Sequence, residues 1–266
     1  MTSAAAPIVD VQLNPSAGPW TALRERALAA EAAGYGALWT FDHLAGLSLR
    51  GDTMFESFTL LGAIAASTTR IELGVLVANV FNRTPAALGV AAATLEAIAG
   101  RAVHLGLGAG AAPDSRWSRE MRVVGQPVAA SMAERHARVT MTMDVLDRLF
   151  DPARDAELAT FPLPRRRPTV VLGVNGTVLA ELAGRRADGV NVGWDHPRRD
   201  ELLDVARRAR GDRAGFVTTT WLEWAPALLD PDHPTRRAMA DRSLDRVVLT
   251  VPPSVDVAAL ATPLAR

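Results

Sequence analysis

Short apolar runs alternate with longer amphipathic stretches along most of the chain. The clearest case is the stretch Thr69 to Gly110. Ile71 to Val77 is rich in β-branched residues and leucine and is short enough for a buried strand. Thr84-Pro85 then opens a helix, with Thr as its N-cap and Pro at the first helical position. Leu88, Ala91, Ala92, Leu95 and Ile98 follow at helical spacing and mark its buried stripe. Gly100 ends the helix, and Val103 to Leu107 reads as a second strand. A strand, a crossover helix and a strand form one βαβ unit, which implies a parallel sheet.

The same alternation continues on both sides. Strands are expected at Ile8 to Leu13, Ala37 to Phe41, Thr169 to Leu172, Gly189 to Val192, Phe216 to Leu222 and Arg246 to Val251. Helices are expected at Pro19 to Ala33, Glu56 to Ser67, Ser115 to Val124, Ala133 to Phe150, Thr177 to Arg186, Arg198 to Arg210 and Val255 to Leu264. Asp151 to Pro168 reads as a polar, Pro-rich loop, with Arg165-Arg166-Arg167 as a solvated cluster. Pro226 to Asp245 is sparse in pattern. With the opening unit, this makes eight strands, mostly separated by helices, with no linker between them. The expectation is α/β class: one (β/α)8 barrel domain over residues 1–266, the alternative being a doubly wound open sheet.

Composition narrows the chemistry. The 266 residues are 48% hydrophobic, enough for a large core, and 29 basic residues balance 29 acidic ones. A net charge of zero gives no global pull toward nucleic acid or an acidic membrane surface. There is no Cys, so disulfides and thiolate metal sites are excluded. There is no Lys either, which excludes Schiff-base chemistry and a P-loop lysine. The first residues lack a signal-peptide pattern, and no apolar run reaches the ~18 residues of a membrane span. A soluble cytoplasmic protein is the expectation.

In a barrel, function gathers at the C-terminal ends of the strands. Asp42 and His43 follow the second strand, and a histidine there can move protons near neutral pH. G-L-G-A-G-A at 106–111 includes Gly108 and Ala109; small residues at a strand end let a planar ligand approach the backbone. The same run fits a loose dinucleotide pattern, but no helix starts after it. The turn from Gly173 to Thr177, with Asn175 and Gly176, offers backbone N–H groups at a helix start and reads as an anion site. Trp194, Trp221 and Trp224 fall near late strand ends, where they can wall an apolar pocket. His104 lies inside a strand, His136 on a helix, and His196 and His233 in loops; no metal set is recognisable and no metal is expected.

These residues resemble the bacterial luciferase-like flavin and deazaflavin oxidoreductases over most of the chain. A-A-E-A-A-G-Y-G-A-L-W-T-F-D-H-L (29–44), T-R-I-E-L-G followed by N-R-T-P-A, G-R-A-V-H-L-G-L-G-A-G, and L-A-G-R-R-A-D-G-V-N-V-G (182–193) are similar to family motifs in order and spacing. Glu120, Gly125, Pro127 and Arg135 are similar to the segment after the fourth strand. The resemblance implies a (β/α)8 barrel, usually dimeric, with a flavin-type ring at the strand C-termini. It implies a non-prolyl cis peptide at Leu76–Val77, with Asn79 beside the ring, and a cofactor phosphate received by Asn175, Gly176 and Gly193. Asp42-His43 is similar to the coenzyme F420 branch, so the implied reaction is hydride exchange with a small organic substrate. Asp42 would then orient His43, and His43 would carry the proton. Two alternatives stand beside it: an FMN-dependent monooxygenase served by a separate reductase, and a cofactor-binding protein without turnover. The chain also departs from the sugar-phosphate dehydrogenases of the branch: Ala111 stands where they carry Glu, and their substrate-phosphate lysines have no counterpart.

Overall fold

The computed structural model describes residues 6–49 and 51–264. Eight parallel strands close into a barrel in sequence order, each hydrogen-bonded to the next and β8 to β1. They are β1 (Ile8–Leu13), β2 (Ala37–Thr40), β3 (Glu72–Asn79), β4 (Val103–Gly108), β5 (Thr169–Gly173), β6 (Gly189–Gly193), β7 (Val217–Glu223) and β8 (Arg246–Val251). Around them run α1 (Trp20–Ala33), α2 (Ser57–Ser67), α3 (Pro85–Ala99), α4 (Arg119–Val123), α5 (Met132–Phe150), α6 (Thr177–Arg186), α7 (Arg199–Arg210), α8 (Pro234–Asp241) and α9 (Val257–Leu260). The closed ring is the (β/α)8 expectation; an open sheet is ruled out by the β1–β8 pairing.

Local signals account for the element ends. Thr84 accepts a hydrogen bond from Ala87 N and Pro85 starts α3, while Gly100 closes it at φ 64°. Ser131 caps α5 by accepting from Glu134 N, so that helix begins one residue before its periodicity does. Three differences from expectation concern short segments. Ser115 to Val124 divides into a 3-10 turn and the brief α4. The sparse stretch after Pro226 holds a 3-10 turn and α8, whose start is set by His233-Pro234. The closing helix shrinks to four residues, because Pro263 follows soon after it. The arginine cluster is also less free than expected: Arg167 pairs with Asp147 and Asp188, and buried Glu96 accepts from the backbone of Arg165 and Arg166.

The strand wall divides two apolar clusters. The larger fills the space between strands and helices, as alternate strand residues such as Val9, Leu73, Leu105 and Val190 point outward. The smaller, inside the ring, contains Ala37, Trp39, Leu76 and Val248. Below it lies a charged plug. Arg246 bonds Asp10 at 2.8 and 2.9 Å and Glu72 at 2.8 Å; Glu72 bonds His104 at 2.8 Å; Asp10 also accepts from Trp39 Nε1 at 3.0 Å. Burial pushes the Glu72 carboxyl up, but His104 and Arg246 outweigh it and hold the group at about 2. His104 also stacks on Trp39 with ring centroids 5.1 Å apart.

Candidate active site

A cavity of about 790 Å³ opens at the C-terminal end of the ring. This is within the size of sites that enclose a cofactor-sized ligand. Among its lining residues are Asp42, His43, Leu76, Val77, Asn79, Gly108, Ala109, Asn175, Gly176 and Trp221. Ten of the residues expected at the site from sequence therefore meet around one space.

His43 stands just past β2. Its Nδ1 lies 2.9 Å from Oε1 of Glu120, which is 3% exposed. The other carboxylate oxygen of Glu120 accepts from Leu44 N at 3.2 Å and Ala45 N at 3.1 Å. An ionised carboxylate only accepts, so opposite an ionised Glu120 it is Nδ1 that carries the hydrogen and Nε2 that has the free lone pair. No described residue bonds Nε2. Trp117 flanks the imidazole at 5.3 Å and Phe41 at 6.3 Å between ring centroids.

Asp42 does not orient His43. Its buried carboxylate is taken by Ser57 Oγ (2.8 Å), Asn79 N (3.0 Å), Asn82 Nδ2 (3.2 Å) and Arg83 Nη1 (2.8 and 2.9 Å). Burial works against the Arg83 guanidinium, yet Asp42 and Glu56 prevail and raise its pKa above the ordinary value. Asp42 is thus a tie between the ends of β2 and β3 and the start of α2. The Asn79 side-chain oxygen is also used locally, accepting from Phe81 N at 3.0 Å.

The floor of the cavity is irregular. The Leu76–Val77 peptide is cis, and the β3–β4 register shifts between Val75 and Ala78. Gln12 Nε2 donates to the Leu76 carbonyl, while Gln12 Oε1 accepts from Thr250 Oγ1 at 3.1 Å. The Val77 side chain occupies the space that a Cβ would need at Gly108 or at Gly173. Those two glycines are there because the bulge leans over the ends of β4 and β5.

Cationic and N–H donors also line the cavity wall. Gly176 is the N-cap of α6 and supplies no side-chain cap, so the first N–H groups of the helix have no capping partner. Arg135 lines the cavity at 8% exposure; its Nε is buried without a hydrogen-bond partner, and Nη2 reaches only Met132 Sδ at 3.3 Å. Burial, then Arg135, pushes the neighbouring His136 below its ordinary pKa. Arg198 is also at the cavity, but Glu201 holds it at 2.6 and 2.7 Å.

Three expected residues lie elsewhere. Gly193 does not line the cavity; it backs the indole of Trp221. Trp194 lies under Arg199 at 4.0 Å and Arg242 at 5.6 Å, away from the cavity lining. Trp224 is buried in the strand–helix core, donating to Tyr35 Oη at 3.1 Å, because the residue after β7 turns outward. Conversely, Gln12, Trp117 and Arg135 line the site without having been expected there, and Glu120 holds its histidine. Only similarity to a family segment marked Glu120 and Arg135; no local pattern of spacing or polarity did.

Three comparisons bear on this arrangement. The family model described as luciferase-like monooxygenase matches residues 4–219. An F420-dependent glucose-6-phosphate dehydrogenase of Tsukamurella paurometabola is 27% identical over 178 residues, covering 63% of this chain and 52% of that protein. A 5,10-methylenetetrahydromethanopterin reductase of Methanolobus tindarius is 27% identical over 192 residues, covering 70% and 54%. The chain thus spans about half the length of these relatives. In structure, an F420-dependent secondary alcohol dehydrogenase in complex with an F420–acetone adduct superposes with a TM-score of 0.72 at 16% identity, over 95% of this chain and 96% of that one. With four-fifths of its sequence under one family model and its cavity at the barrel mouth, the chain belongs to the luciferase-like monooxygenase family.

Proposed function

We propose that the protein is an oxidoreductase that exchanges hydride between coenzyme F420 and a small organic substrate, with His43 as the proton carrier. The observation that carries this reading is the clamped His43–Glu120 pair facing a cavity floored by the Leu76–Val77 bulge and the small residues Gly108 and Ala109. The F420-dependent relative supports the choice of cofactor.

The residues present fit such a group. Gly108, Ala109 and Gly173 carry no long side chain, and the Leu76–Val77 bulge packs across them, so the floor offers a planar ring an apolar surface. Arg135, a buried cation with an orphaned Nε, calls for an anion, and the uncapped start of α6 offers N–H donors for one. Leu76, Val77 and Asn79 would support the ring, and Asn175, Gly176 and Arg135 would hold the phosphate. Gly193 drops out of that role. When bound, a deazaflavin supplies two-electron hydride chemistry. His43 then takes or gives a proton at Nε2, while Glu120 fixes the ring orientation and the Nδ1–H tautomer. Trp117 and Phe41 keep the imidazole beside apolar surface.

The reading is tested by following oxidation of reduced F420 with a panel of carbonyl compounds. Wild type is expected to turn over, and His43→Ala to lose about 100-fold or more in kcat with the cofactor Kd changed by less than about 3-fold. Equal losses in both would remove His43 from proton transfer. Formation of a homodimer belongs to the same reading and is tested by sedimentation.

A further inference from the structure

Trp221 faces inward at the top of β7, lines the cavity, and is 47% exposed. A methyl group at Gly193 would stand 3.3–3.4 Å from three of its ring atoms, Cε2, Cζ2 and Nε1. Nearly equal distances to three ring atoms mean that one face of the indole lies over Gly193. That face is fixed, and the other is open to the cavity. Its Nε1 bonds no described residue, and packing against Gly193 supports the ring from below.

Topology sets what that open face looks at. In a closed ring of eight strands, β7 stands opposite β3. The floor belongs to β3, β4 and β5, where Leu76, Val77, Gly108 and Gly173 lie. A cofactor ring on that floor leaves the space toward β7 for the substrate. Among the described charged residues of the lining, Glu120 is taken by His43 and two backbone N–H groups, Asp42 by Arg83, and Arg198 by Glu201. Arg135, the unpaired cation, is assigned above to the cofactor.

We infer that the substrate is a flat, uncharged aromatic compound stacked on the free face of Trp221. This rests on the F420 reading for the occupancy of the floor. Aromatic pairs in offset or edge contact gain beyond the area they bury, which a saturated ring of the same size does not, and Glu201, already on Arg198, disfavours an anion there.

The test is calorimetric titration of the F420-loaded protein with acetophenone, 2-acetonaphthone and cyclohexyl methyl ketone, with glucose 6-phosphate as the charged control. Wild type should bind the aryl ketones about 10-fold more tightly than the saturated one. Trp221→Leu should abolish that preference and Trp221→Phe should keep most of it. Equal affinity for aryl and saturated ketones overturns the inference, as do a preference that survives Trp221→Leu, tighter binding of glucose 6-phosphate, or no binding of either aryl ketone. Failure to load F420 counts against the cofactor reading instead; the same titrations on the protein without cofactor then still read the Trp221 preference.

Discussion

At the scale of single residues, the site turns on which carboxylate holds His43. Adjacency in sequence points to Asp42, but successive residues leave a strand end in opposite directions, so Asp42 turns away from His43 and into the β2–β3 tie. Glu120 arrives from 77 residues further along and takes the imidazole. A distant partner of this kind leaves no periodic or local trace. Replacing Glu120 with Gln separates its two duties. The amide oxygen can still accept from the Leu44 and Ala45 N–H groups, but the amide nitrogen would then face Nδ1 and favour the opposite tautomer. We expect Glu120→Gln to keep the melting temperature within a few degrees and to lower kcat about 100-fold or more. A variant with normal turnover would show that the tautomer is immaterial. Glu120→Ala leaves the same donors unpaired and should lose stability as well, by about 2 kcal/mol, read by urea unfolding.

At the scale of elements, most of the barrel was legible. Most strands are short apolar runs, β7 with its three Thr being the exception, and each long helix carries a stripe, a cap or a Gly stop that can be read locally. The cis Leu76–Val77 peptide and the residues around it were legible only through family resemblance. What escaped was short. α4, α8 and α9 have too few residues for a period to emerge, and the side to which a tryptophan turns after a strand end is set by contacts, as with Trp194 and Trp224. The Asp42 tie is the element-level feature with the clearest consequence. Asp42→Ala removes the partner of a largely buried Arg83 and of Ser57 and Asn79 N. We expect about 3–5 kcal/mol of lost stability in urea unfolding, together with weakened cofactor binding, because the β3 end forms part of the floor. A loss below about 1 kcal/mol would contradict this account of the tie.

At the scale of the whole molecule, the barrel is closed at two levels. Above is the cavity lined by His43 and Trp221. Below is the plug of Asp10, Arg246, Glu72, His104 and Trp39, which joins β1, β2, β3, β4 and β8. The plug predicts a pH dependence. The Glu72 carboxyl is held at about 2, below its ordinary 4.5. A carboxylate depressed on folding contributes stability that is fully present above about 4.5 and is lost as the pH falls from there toward 2. The stability difference between wild type and Glu72→Gln should therefore be largest at pH 6 and shrink by pH 3, as read by urea unfolding at both values. A difference independent of pH would remove Glu72 from the acid limb. A charged plug at one end of the strands and the proposed site at the other follow the rule for such barrels.

The most direct test of the account is equilibrium binding of oxidised coenzyme F420 and of FMN to the purified protein, followed by fluorescence under the same conditions. The account predicts that F420 binds at least about 100-fold more tightly than FMN, a difference of about 2.7 kcal/mol. Tighter binding of FMN, or no binding of F420, would contradict it.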